Sequence, residues 1–110
     1  MNTITEFYLI DRGAFNVTPE VEYTDLSGKK GEVKDFKKLM AGQSLTFDPG
    51  KSGIIKDGFT VSLKCNVQAG KDKSAGESFT YQSGGATVAN YAISGTTLND
   101  DLKFLGTTPQ

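Results

Sequence analysis

The sequence predicts an all-β protein, an antiparallel β-sandwich of about seven or eight short strands, and three observations support this. Apolar and polar residues alternate with a period of two along several stretches, whereas a helical period is hard to find. Turn signals rich in glycine, aspartate and asparagine separate these stretches at short intervals. The chain of 110 residues is long enough for a two-layer core without disulfide or metal support. We therefore expect one β-sandwich domain that covers residues 1–110.

The clearest predicted strand is Phe59–Val67, in which every odd position is apolar and every even position is polar. This pattern predicts one buried face and one wet face, and it places Cys65 in the core. Phe15–Tyr23 alternates in the same way, but Pro19 within it favours an edge strand or a bulge. Shorter strands are predicted at Glu6–Asp11, Ser44–Asp48, Ser78–Gln82, Thr87–Ser94 and Asp101–Leu105.

Turn residues divide these strands. Asp57-Gly58 predicts a tight turn immediately before the main strand, and Gly84-Gly85 predicts a second reversal. Asn99-Asp100-Asp101 predicts the turn before the last strand. The segment Val33–Met40 fits either a short helical turn or a strand, and the spacing of Phe36, Leu39 and Met40 favours the short helix slightly.

Composition argues against several classes of function. The chain has no histidine, which is the side chain most often used as a general base and as a metal ligand. Its one cysteine is predicted to be buried, and a reactive thiolate needs exposure and a cationic partner. A pair of carboxylates is the catalytic arrangement that remains open, although most of the thirteen acids fall on predicted polar faces or in turns. We therefore predict that the chain is not an enzyme and uses neither a metal nor a cofactor.

Charge bears on partners and location. The net charge of −1 argues against a general affinity for nucleic acid or for anionic membranes. The segment Lys29–Lys38 nevertheless has five lysines against two acids, and it is either a solvated edge or a binding patch. The N-terminus lacks the pattern of a signal peptide, and no stretch is long enough to span a membrane as a helix. We expect a cytoplasmic protein, or one exported without an N-terminal signal peptide.

Two tyrosines and one loop are the candidate ligand-binding residues. Tyr8 and Tyr91 are not assigned to a core face by the alternation, and tyrosine is favoured at binding surfaces. Gln82 and Ser83 begin a small polar loop that continues into Gly84-Gly85. This loop fits a ligand-facing role and an ordinary hairpin equally well.

The chain from about Lys38 onwards resembles the aegerolysin-type β-sandwich in the order and spacing of its elements. These elements are Ala41–Phe47, Gly50–Gly53, Phe59–Val67, Glu77–Tyr81 and Asn90–Gly95. The resemblance implies recognition of a membrane lipid headgroup by loops at one end of the sandwich, often together with a larger pore-forming partner. The chain is shorter than those proteins and lacks the tryptophans that they use at the membrane, so no binding residue is carried over.

The first functional prediction is a non-catalytic binding module that recognises a membrane lipid or a protein partner through loops and edge strands. One alternative is a structural protein that assembles into homo-oligomers through exposed strand edges. A second alternative is a carbohydrate-binding module, which needs exposed aromatic rings. Nucleic acid is not an expected partner.

Overall fold

The computed structural model of the protein describes residues 1–109, and ten strands in two stacked sheets account for most of them. The strands are β1 (Thr3–Ile4), β2 (Glu6–Asp11), β3 (Val17–Thr24), β4 (Lys30–Val33), β5 (Ser44–Phe47), β6 (Thr60–Val67), β7 (Lys73–Ser74), β8 (Phe79–Tyr81), β9 (Thr87–Thr96) and β10 (Asn99–Pro109). A single 3₁₀ turn, Pro49–Ser52, follows β5. This sandwich-like, almost entirely β architecture confirms the predicted fold class.

The larger sheet has six strands in the order β1-β8-β6-β3-β4, with β7 also paired to β6, and the smaller sheet has the order β10-β9-β2-β5. Most neighbouring strands are antiparallel, as predicted, but β1 pairs with β8 and β2 pairs with β9 in parallel. The period-two pattern reports which face a residue occupies and carries no information on the direction of the neighbouring strand. The structure has more strands than the seven or eight predicted. Two of the strands that were not predicted, β1 and β7, have two residues each and are too short to show any alternation.

The strand predicted at Phe59–Val67 is β6, which lies between β3 and β8 in the larger sheet. Its odd residues Val61, Leu63 and Cys65 are fully buried, which confirms the prediction for the thiol. Burial raises the pKa of Cys65 far above its ordinary value, because the apolar interior disfavours the thiolate. Cys65 therefore acts as a small core residue.

Pro19 lies in β3, which is flanked on both sides over only part of its length. The pairing with β6 runs from Val17 to Thr24, whereas the pairing with β4 begins at Val21. Pro19 thus lies beyond the end of β4, where the missing N–H removes no ladder bond to that strand. Pro19 therefore lies at a local edge of the sheet, although the strand β3 as a whole lies between β6 and β4.

Aromatic residues join the two sheets in the core. Phe7 of the smaller sheet is fully buried, and its ring centroid lies 5.8 Å from that of Phe47 and 6.2 Å from that of Phe79. The ring of Tyr91 is also 6.2 Å away. Phe104 of β10 contacts Phe79 and Tyr91 from the edge of the smaller sheet. The core is thus continuous from β10 to β5.

Two local predictions differ from the structure. The segment Val33–Met40 contains no helix: β4 ends at Val33, and Leu39 makes a bridge to Val17. The last reversal is the two-residue turn Thr97-Leu98, two residues before the predicted one, and β10 begins at Asn99. Asn99 and Asp101 can occupy a strand because they lie at exposed outer positions of the edge strand β10, whereas Asp100 is half-buried on the inner face. No helix within residues 1–109 has the length and apolarity needed to cross a bilayer.

Candidate functional site

Tyr91, one of the predicted ligand-binding residues, lies in the core. Its side chain is fully buried in β9, and its hydroxyl donates a hydrogen bond of 3.1 Å to Glu77 Oε1. Burial, together with the nearby Glu77 carboxylate, raises the pKa of the Tyr91 phenol well above its ordinary value. Tyr91 is therefore out of reach of a ligand at the surface.

Tyr8 is half-buried on the outer face of the smaller sheet. It pairs with Thr46 of β5 on one side and with Asn90 of β9 on the other. Its position in β2 is far along the chain from Gln82 and Ser83, which lie in a loop after β8. The structure does not bring the four predicted residues together into one site.

Gln82 and Ser83 are exposed, and both bind a carboxylate of the protein itself. Ser83 N–H donates to Asp57 Oδ1 at 2.7 Å, while Gln82 Nε2 and Ser83 Oγ donate to Asp57 Oδ2 at 3.2 Å each. The backbone bond from Ser83 is the main reason that the pKa of Asp57 lies below its ordinary value. These bonds fasten the loop after β8 to the turn before β6, so the donors of both residues are already engaged.

At the other end of the sandwich, four chain segments meet, and together we call them the loop end. They are residues 12–16, 39–43, 68–72 and 95–98, which lead out of β2, into β5, out of β6 and from β9 into β10. Backbone hydrogen bonds join these segments to one another or to the adjacent strand ends: Gly42 N–H to Asp11 O (2.7 Å), Ala14 N–H to Gly95 O (3.1 Å) and Gln68 N–H to Asn16 O (2.9 Å). The segments therefore form one connected surface.

Close backbone contact fixes the tip of this surface. A Cβ at Gly70 would lie only 2.5 Å from the carbonyl oxygen of Thr97, so glycine is needed where residues 68–72 pass the β9–β10 turn. The preceding residue, Ala69, has a positive φ of 62°. The loop and the turn thus support each other at the edge of the sandwich.

Leu98 projects from this tip. Thr96 pairs with Asn99 across the two-residue turn, and the side chain of Leu98 is 91% exposed. It is the most exposed large apolar side chain in the described part of the protein. Met40, from a neighbouring segment of the loop end, is 49% exposed. Two aliphatic side chains therefore face solvent at this end.

Basic side chains predominate around the loop end. Within two residues of its segments lie five basic groups and three acids: Arg12, Lys37, Lys38, Lys71 and Lys73 against Asp11, Asp72 and Asp100. The five basic residues are all exposed, whereas Asp11 is fully buried. Lys29 and Lys30, at the start of the lysine-rich segment, lie at the opposite end near Thr24. The ten-residue segment therefore does not form one basic patch.

Asp11 lies beneath the loop end with an incomplete set of partners. Its Oδ1 accepts a hydrogen bond of 2.9 Å from Gly13 N–H, and its Oδ2 has no hydrogen-bond partner among the described residues. Burial raises the pKa of Asp11 because the carboxylate is poorly solvated there. The folded state consequently holds this proton more tightly than the unfolded chain, and Asp11 lowers stability as pH rises from the ordinary carboxyl pKa through the raised one.

The opposite end of the sandwich also has exposed apolar residues, but it is arranged differently. Leu26, in the β3–β4 turn, is 76% exposed, and a Cβ on Gly58 would lie 3.0 Å from its Cδ2. Leu26 thus lies back against the turn that precedes β6. The bonds of Asp57 described above close the neighbouring loop. Leu26 is therefore less exposed than Leu98.

Leu98 and Met40 are not among the residues that the sequence predicts to bind a ligand. The only available signal was an isolated leucine between turn-forming residues in Gly95-Thr96-Thr97-Leu98-Asn99. A single leucine near a turn is common, and its exposure depends on where the turn falls.

Within residues 1–109 there is no group of three or more cysteines, aspartates and glutamates placed to hold a metal. The expectation of a non-enzymatic protein stays a prediction.

No protein-family model matches the chain, and no curated protein matches it in sequence. Among solved structures, it is similar to the membrane-binding domain of pneumolysin, at 13% identity over 93% of this chain and 96% of that domain, with a TM-score of 0.46. It is also similar to the cytotoxin suilysin from Streptococcus suis, at 15% identity over 93% of this chain with a TM-score of 0.48, and to listeriolysin O, at 13% over 91% with 0.45.

The chain spans about 23% of the length of suilysin and about 22% of listeriolysin O. At these identities and TM-scores, the similarity does not by itself assign a ligand or an activity to this chain. The resemblance to aegerolysins stays a prediction. The similar solved structures thus include a cytotoxin and a membrane-binding domain.

Proposed function

We propose that the protein is a non-catalytic membrane-binding module whose loop end docks on anionic lipid headgroups and inserts Leu98 between them. The observation that carries the proposal is the 91% exposure of Leu98 at the tip of a two-residue turn. Because Leu98 is 91% exposed, it buries little apolar area in the folded protein and contributes little to folding. A bilayer interface would bury it.

The expected binding energy is moderate. Burial of one leucine side chain contributes about 2 kcal/mol, and each basic group close to an anionic surface contributes about 1 kcal/mol. Leu98 with three of the five basic groups would therefore contribute about 5 kcal/mol, before the cost of immobilising the protein. Such binding is reversible and sensitive to salt.

Local charge decides this interaction. The net charge of −1 argues against a general attraction to anionic surfaces, but screening limits electrostatic effects to roughly 8–10 Å at physiological salt. Only charges near the contact therefore matter, and the loop end has more exposed basic groups than acidic ones. Arg12 and Lys71, which lie in two different segments of the loop end, are both exposed and can contact headgroups.

The loop end is also preorganised. The backbone bonds between its segments hold the tip in place before binding, so little conformational entropy is lost on docking. The close approach of Gly70 to Thr97 fixes the turn that carries Leu98. A rigid tip of this kind fits docking without refolding.

Vesicle flotation tests the proposal. We expect the protein to float with vesicles that contain phosphatidylserine at low salt, less at high salt, and weakly or not at all with phosphatidylcholine alone. Equal flotation with both lipids would contradict the electrostatic part of the proposal. No flotation with either lipid would contradict membrane docking as a whole.

The carbohydrate-binding alternative has less support. The exposed large apolar side chains of the described residues are all aliphatic: Met1, Leu26, Met40, Ile54, Leu98 and Leu105. Stacking on sugar rings needs exposed aromatic faces, and Tyr8 is half-buried. The surface therefore favours a lipid partner over a sugar.

A further inference from the structure

The strand β10 forms one edge of the smaller sheet, and β7 of the larger sheet lies close to part of it without pairing with it. The strand β10 has eleven residues and pairs with β9 along nearly its whole length, and its other side has no strand partner within residues 1–109. Leu102 and Phe104 on its inner face are only half-buried, although both pack on the core. Leu105, at the irregularity between Phe104 and Gly106, is 44% exposed. The core is therefore incompletely covered along this edge.

We propose that β10 pairs with β10 of a second copy of this chain, antiparallel and centred on Leu102. Because a two-residue turn closes with a hydrogen-bonded pair, the backbone groups of Asn99 and Asp101 face β9. The backbone N–H and C=O groups of Asp100 and Leu102 then point away from β9, towards the unpaired side of β10. In this register, the N–H and C=O of Leu102 bond to the same groups of the second copy.

Charge complementarity selects this register. Pairing centred on Leu102 places Asp101 opposite Lys103 of the partner subunit, and the reverse pair forms by symmetry. These are non-hydrogen-bonded positions, where opposing side chains lie closest. Registers centred on Asp101 or on Lys103 would instead place two like charges opposite each other. Charged side chains on an edge strand disfavour pairing with arbitrary strands. Here Asp101 and Lys103 form opposite-charge pairs with a second copy of the same strand.

Burial supports the same arrangement. The two Leu102 side chains would lie opposite each other on the inner face, where each is half-exposed in the single copy. The contact would extend the core across the symmetry axis. A two-fold axis of this kind gives a closed dimer, so the edge would not continue into fibres.

The dimer has a geometric consequence. Because the two strands run in opposite directions, the two Leu98 turns point away from each other, and a flat bilayer can meet only one of them. The dimer is therefore a state distinct from the docked one, and the inference does not depend on membrane binding. Tests of the dimer and tests of membrane binding can therefore give independent results.

Charge exchange tests the register. We expect the protein to sediment as a dimer at high concentration, and the D101K or K103D variant to dimerise about tenfold more weakly, because each would place two like-charged pairs at the interface. The double variant D101K/K103D restores opposite charges and should dimerise as the original protein does. A strict monomer at high concentration would overturn the inference, as would a dimer that these single substitutions leave unchanged.

Cysteine cross-linking gives an independent readout. A mixture of the D101C and K103C variants should form an intermolecular disulfide under mild oxidation, since these positions face each other in the proposed register. Either variant alone should cross-link far less, because residue 101 does not face residue 101. Cys65 is buried and should not contribute. Equal cross-linking in the single-variant samples and in the mixture would contradict the register.

Discussion

The L98D variant is expected to bind anionic vesicles about 30-fold more weakly than the original protein. Removing the burial of one leucine side chain costs about 2 kcal/mol, which corresponds to this factor. The introduced carboxylate adds repulsion from the anionic headgroups, so the loss should be at least this large. Folding should be unaffected, because the side chain of Leu98 lies almost wholly in solvent. Flotation with phosphatidylserine vesicles measures the difference.

The matched control is L26D, at the opposite end of the sandwich. Leu26 is the other highly exposed leucine in a turn between two strands, and the substitution adds the same charge. It should bind vesicles as the original protein does. Equal loss of binding in both variants would indicate a nonspecific charge effect, and full binding of L98D would exclude Leu98 as the inserted residue.

The F7A variant is expected to lose about 4 kcal/mol of stability. Phe7 is fully buried, and its ring contacts Phe47, Phe79 and Tyr91, so truncation removes contacts to both sheets and leaves a cavity between them. A domain of this size has a total stability of roughly 5–15 kcal/mol, so this loss is a large share of the free energy of unfolding. Equilibrium unfolding in urea measures the change.

The F7L variant is the control for the volume removed. Leucine fills most of the space of the ring and stays apolar, so we expect a loss of only about 1 kcal/mol. A loss below about 1 kcal/mol for F7A would show that Phe7 does not join the two sheets as described. A large loss for both variants would point instead to a specific requirement for the aromatic ring.

The sequence predicted strands well where one face is buried and the other is wet. The strand β2 has the predicted bounds Glu6–Asp11, and the buried positions of β6 are the odd ones that the alternation indicated. In both cases the local pattern carries the needed information, since side chains on a strand alternate between two faces. Fold class and the burial of Cys65 followed from such local patterns.

Features that depend on distant residues could not be read from the sequence. Asp57 binds Gln82 and Ser83 from about 25 residues away, and nothing near these residues indicates that partner. Tyr91 follows Asn90, which interrupts the alternation, and its burial arises from rings of both sheets. The exposure of Leu98 depends on the position of the β9–β10 turn, which lies two residues before the predicted turn.

The depth of residue 98 in the bilayer tests the central claim most directly. An environment-sensitive fluorophore is attached to the L98C variant and, for comparison, to L26C, while buried Cys65 stays unlabelled. With phosphatidylserine vesicles, we expect the label at position 98 to shift to shorter wavelength and to be quenched by lipid-borne quenchers, and the label at position 26 to remain in water. A label at position 98 that stays in water while the protein floats with vesicles would contradict docking through the loop end.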